Sequence, residues 1–77
     1  MAEETRELTF GQKAVGVRFN PSGMSEVDEV KQTFADIIDK IEQKPGQTYL
    51  ANTFKGMAIR ATITAQMAVV KFLTWQD

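Results

Sequence analysis

The chain has 77 residues, with 9 Lys and Arg against 10 Asp and Glu, and neither His nor Cys. That length holds one small domain, and without His or Cys there is no disulfide framework, zinc finger, thiol nucleophile or Ser-His-Asp triad. A formal net charge of −1 argues against binding long nucleic acid, which needs many phosphate-neutralising cations. The acidic Met1-Ala2-Glu3-Glu4 start does not fit a secretory or mitochondrial leader. In the most apolar stretch, Gly56 to Trp75, the residues Arg60, Gln66 and Lys71 interrupt the run and disfavour a membrane span. The expectation is a soluble intracellular domain without cofactor, metal or enzymatic activity. A domain this small buries only about 60% of the surface its unfolded chain exposes. Disulfides are excluded and no metal-ligand cluster is visible, so the remaining source of stability is another copy of the chain.

Residues 1–7 are polar and read as a frayed end. Thr9 and Gln12 have the capping-box spacing ahead of Lys13, Ala14 and Val15. They predict a short helix over 9–15, weakened by Gly11 and Gly16. Gly16 to Gly23 then form a loop, in which Asn20-Pro21 favours an extended or turn conformation and Gly23 offers positive φ. Ser25, with Asp28 three residues on, starts a second helix through a variant of the same capping box. Val27, Val30, Phe34, Ile37, Ile38 and Ile41 recur at steps of three and four. Glu26, Glu29, Gln32, Asp36, Asp39 and Lys40 mostly take the other side, which makes the helix amphipathic. Lys44-Pro45-Gly46 ends it.

A third helix starts near Thr48 and runs to Thr74 without an internal proline. Leu50, Phe54, Met57, Ala61, Ala65, Ala68, Phe72 and Trp75 form one stripe at helical spacing, and Ile59, Ile63, Val70 and Leu73 add apolar residues on another side. A helix apolar over so much of its circumference must be covered from more than one direction. The short turn predicts that the second and third helices pair as an antiparallel hairpin, with the leftover faces meeting other subunits. The whole of 1–77 is expected to be one helical-hairpin domain, all-α, with a short N-terminal helix.

Three places carry candidate chemistry. Lys31 falls near the apolar stripe of the second helix. It is either a snorkelling lysine whose stem covers the core edge or a cation held for a phosphate. Arg60 shares one side of the third helix with Thr53, Thr64, Met67 and Lys71. Its guanidinium must reach solvent, pair with an acid such as Asp36, Asp39 or Glu42 of another subunit, or join the Thr64 hydroxyl in holding a ligand. The loop Phe19-Asn20-Pro21-Ser22-Gly23 offers an aromatic to stack on a base, with an amide and a hydroxyl for its edge. Alternatively, Phe19 caps the core and the rest only turns the chain. Asp36 and Asp39 sit on a solvated face and are assigned no catalysis.

Taken together, Gly16-Val17-Arg18-Phe19-Asn20-Pro21-Ser22-Gly23, Val27-Asp28-Glu29-Val30-Lys31 and the run from Ala58 to Lys71 resemble one family. It is that of the phage anti-CBASS cyclic-nucleotide sponges, whose helical-hairpin domain is shared with a Thoeris anti-defence sponge. The resemblance spans about residues 8 to 76. It implies a compact homohexamer in the cytoplasm of an infected bacterium that binds cyclic nucleotide immune messengers without cleaving them. It implies that cyclic dinucleotides sit between protomers against an aromatic-containing loop and a lysine, here Phe19, Asn20, Pro21, Ser22, Gly23 and Lys31, with Phe10 as the other candidate aromatic. It further implies a separate cyclic trinucleotide site made by Arg60 and Thr64. The long N-terminal domain of the Thoeris relatives has no counterpart here, which favours the anti-CBASS branch. The other ligand class is a cyclic ADP-ribose isomer, and the other functional class is an interaction hairpin without small ligand.

Overall fold

The computed structural model describes residues 7–77, and these are all-helical: α1 (Phe10–Val15), α2 (Ser25–Gln43) and α3 (Tyr49–Thr74), with no strand among the described residues. The frayed end expected over 1–7 lies outside the described residues apart from Glu7, which is not helical. Thr9 caps α1 as its spacing predicts. Its Oγ1 accepts from the Gln12 N–H at 3.1 Å, and the Gln12 side chain accepts from the Thr9 N–H at 2.9 Å. Thr48 caps α3 by accepting from the Ala51 N–H at 3.1 Å.

α2 begins at Ser25 as expected, but not through the expected capping box. Met24, not Ser25, is the N-cap residue, and no side chain caps it. Ser25 is already helical, and Asp28 serves the loop instead, accepting from Asn20 Nδ2 at 2.9 Å. The hydroxyl and amide upstream, Ser22 and Asn20, hold Met24 and so take over the organisation of this terminus.

The glycines that weakened the expectation for α1 turn out to place it. A Cβ on Gly11 would run into the backbone carbonyl of Ala35, so α1 crosses α2 at a distance only glycine allows. At that crossing the Gly11 N–H donates to Asp39 Oδ1 at 2.6 Å, and Gln12 Nε2 donates to Gln32 Oε1 at 3.1 Å. Asp39, expected on a solvated face, instead accepts a free N–H at the start of α1. Gly16 ends α1 in the left-handed conformation, φ 66°.

On α2 the buried meridian is Val27, Lys31, Ala35 and Ile38, slightly rotated from the expected stripe, and Ile37 is left exposed. The rotation follows from two neighbours on different sides, α1 and α3. The hairpin is antiparallel: Lys55 Nζ donates to the Glu42 and Lys44 carbonyls at 2.8 Å near the turn. Ile59 and Ile63 pack on the Val15, Ala35 and Ile38 core, and Val70 and Thr74 line one cleft with Val27 and Lys31. The Ile59, Ile63, Val70, Leu73 side is thus the one that α2 covers, and the Leu50 to Trp75 stripe faces away. Phe54 is 61% and Phe72 77% exposed.

The Cα atoms extend 43 × 38 × 12 Å with a radius of gyration of 14.1 Å. Two stacked helices need about 13–15 Å at the Cα level, so the three lie side by side in one layer. A compact chain of this length has a radius of about 11.5 Å. No helix among the described residues is long and apolar enough to cross a membrane.

Candidate functional site

The loop between α1 and α2 is held by a lysine. Lys31, 5% exposed, sends its Nζ from α2 to the carbonyl of Gly16 at 3.0 Å and to the carbonyl of Phe19. Those two carbonyls lie at the end of α1 and in the loop, so one ammonium ties three segments together. Asn20 Nδ2 donates to the Met24 carbonyl and to Asp28 Oδ1, both at 2.9 Å. Ser22 Oγ donates to Asn20 Oδ1 at 2.6 Å and accepts from the Met24 N–H at 3.2 Å. Gly23, at φ 71°, supplies the expected positive φ.

On this framework the Phe19 ring stands 69% exposed with Lys31 Nζ 5.4 Å from its centroid, within cation–π range. Phe19 therefore does not cap the core. Lys31 does not snorkel either, because its head group is enclosed among carbonyls. An ammonium carries three N–H groups, of which two are used here.

Two open clefts meet at Phe19 and Lys31. The smaller, about 190 Å³, lies between the loop and the end of α3 and is lined by Asn20, Pro21, Ser22, Val27, Val70 and Thr74 as well. The larger, about 600 Å³, lies between α1 and α3, with Ala14, Val15, Ile63, Met67 and Val70 as walls and Lys13 and Lys71 also lining it. Small-molecule sites span roughly 300–1,000 Å³ and bury most of their ligand. The larger cleft has the size, but both need cover from outside the chain to exclude water.

Phe19, Asn20, Pro21, Ser22 and Lys31 thus converge, with Gly23 at the turn behind them. Phe10, 49% exposed at the start of α1, lines neither cleft. Arg60 and Thr64 are exposed on the side of α3 that they share with Met67 and Lys71, and they also line neither. The Thr64 hydroxyl donates to the Arg60 carbonyl at 3.1 Å, and Arg60 Nη1 lies back over Gly56. No ion pair joins Arg60 to Asp36, Asp39 or Glu42 among the described residues.

Sequence reasoning missed Gln66, the one residue of α3 that is buried, at 4% exposure. Its position was legible, since it falls three residues after Ile63 and four before Val70 on the side facing α2. Among the described residues no three His, Cys, Asp or Glu side chains converge to hold a metal ion. No family model matches this chain, and no curated protein and no solved structure matches it significantly.

Proposed function

We propose that this chain sequesters cyclic di- and trinucleotide immune messengers, such as 3′,3′-cyclic GMP-AMP and cyclic tri-adenylate, without cleaving them. The observation that carries this is the exposed Phe19 ring held beside a buried ammonium at the junction of two open clefts. A base stacks on such a ring, and the third N–H of Lys31 is suited to a phosphate oxygen. The resemblance of the 16–23, 27–31 and 58–71 segments to the sponge family supports the same ligand class. In this proposal the chain acts in the cytoplasm of an infected bacterium. The copies associate as a homohexamer through the outward stripe of α3, and a neighbour closes each cleft. Arg60 and Thr64, which line neither cleft and are unpaired by acids of their own chain, hold the cyclic trinucleotide where copies meet.

The wide exposed apolar stripe also favours a second reading, a hairpin that only binds protein. Native mass spectrometry of protein purified from messenger-producing cells separates the two. A hexamer carrying intact cyclic nucleotide supports sequestration. A ligand-free assembly that takes up no cyclic nucleotide on titration supports the interaction module, and linear products in proportion to protein would reveal hydrolysis. In calorimetry, Arg60→Ala with Thr64→Ala abolishes cyclic trinucleotide binding and leaves cyclic dinucleotide binding nearly unchanged. Parallel loss of both in an intact assembly would mean one shared site.

A further inference from the structure

Gln66 has its side chain on the floor of the larger cleft, 4% exposed, with Ile63, Met67 and Val70 around it. Its amide makes no hydrogen bond among the described residues. No fully enclosed side-chain N or O atom there goes unpaired, so the accessible sliver of Gln66 includes its amide atoms, which open onto the cleft. An amide in this position is costly to the free protein, because it keeps only the water that reaches it through the cleft and has no protein partner in return. Replacing it with an apolar side chain of the same volume would remove that cost. The group nevertheless sits between apolar neighbours and presents one acceptor and two N–H donors to the cavity.

From this placement we infer that Gln66 hydrogen-bonds the edge of a nucleobase that enters the cleft between α1 and α3. A carboxamide matches the adjacent donor and acceptor that a base edge displays, and Gln makes such two-point contacts with adenine. The apolar walls accept the faces of a planar ring. Lys13 and Lys71 also line the cleft, where they suit the phosphates attached to that base. Lys71 lies with its Nζ 5.7 Å from the Trp75 ring centroid, which orients its ammonium without occupying it in an ion pair. Phe19 and Lys31 line the same cleft at its junction with the smaller one. One base of a cyclic dinucleotide would then stack on Phe19 while the other reaches Gln66. This assignment rests on the proposed cyclic nucleotide binding and adds the residue that reads the base.

The test compares wild type with Gln66→Leu and Gln66→Met, titrated with 3′,3′-cyclic di-AMP and followed by thermal melting without ligand. Losing a two-point contact to a base lowers affinity about ten- to a hundredfold. The expected pattern is that loss, together with a ligand-free melting temperature equal to or above wild type in at least one variant. Unchanged affinity in a folded variant overturns the role of Gln66 and leaves the proposed function standing. A melting temperature lowered by several degrees in both variants shows that the amide has a structural partner, and also overturns it. A wild type that binds no cyclic nucleotide overturns the function and this assignment together.

Discussion

Among single residues, Lys31 does most to hold the loop between α1 and α2. A lysine in an apolar stripe is usually a stem along the core with its head in water. Here the head is drawn inward because two carbonyls, of Gly16 and Phe19, have no helical partners and converge on it. The ammonium therefore has a structural job before any ligand arrives. Hydrogen bonds to a charged group contribute about 1.5–3 kcal/mol each. Lys31→Met should lower stability by about 2–3 kcal/mol, a melting temperature fall of roughly 8–24 °C for a chain this size. Hydrogen exchange at the Phe19 N–H, which donates to Gly16 at 2.9 Å, should speed up in parallel. A variant that melts like wild type would show that the clamp contributes nothing. This matters for any ligand study, since lost binding in a Lys31 variant reports the loop as well as the contact. The arrangement was only half legible in the sequence. Helical spacing placed Lys31 at the core edge, but two carbonyls on a loop leave no signature in side-chain identity.

At the scale of elements, capping and spacing carried the prediction well where the determinant is local. Thr9 with Gln12, Thr48, and the Lys44-Pro45-Gly46 break fall within a turn or two of the helix end they set. The pairing of α2 with α3 followed from the short turn, but the close contacts that α1 and the loop make with α2 were not legible, because they depend on backbones that approach from elsewhere. Ser25 lost its expected role to Ser22 and Asn20, and Gly11 looked like a weak point of α1 when it is the point of contact with α2. Contrasting glycines make this measurable. Gly11→Ala gains about 1 kcal/mol in helix propensity, yet forces a Cβ onto the Ala35 carbonyl, where overpacking costs up to about 3 kcal/mol. The net loss should be about 2 kcal/mol, a fall of roughly 8–16 °C in melting temperature. At Gly56 in α3, an added Cβ meets only Arg60 Nη1 at 3.5 Å, an ordinary contact. Gly56→Ala should raise the melting temperature, and equal effects at the two sites would refute the close crossing.

At the scale of the whole molecule, the sequence announced an apolar excess on α3 but not which side of it α2 would take. The structure gives α2 the Ile59 and Ile63 side and leaves Phe54 and Phe72 outward. A double change, Phe54→Glu with Phe72→Glu, disturbs nothing buried in the single chain. If the outward stripe joins copies, it should reduce the particle seen by light scattering to that of the 8.6 kDa chain and lower the melting temperature. The wild-type melting temperature should rise with protein concentration, as mass action requires of associated folds, and the variant's should not. A wild type that stays monomeric at micromolar concentration would remove the basis for assembly.

The thinness of the slab also sets a timetable. A chain whose helices lie in one layer leaves the ribosome with the outward stripe of α3 uncovered, and in the proposed assembly it stays so until another copy arrives. Ordinary protein pairing at about 10⁵–10⁷ M⁻¹s⁻¹ takes roughly 0.1–10 s at micromolar concentration, and a hundred times longer at ten nanomolar. During that wait the lone chain is open to proteases and to the wrong neighbours. The earliest copies made in a cell would thus be the shortest-lived, and protection would set in abruptly once synthesis outpaces their loss.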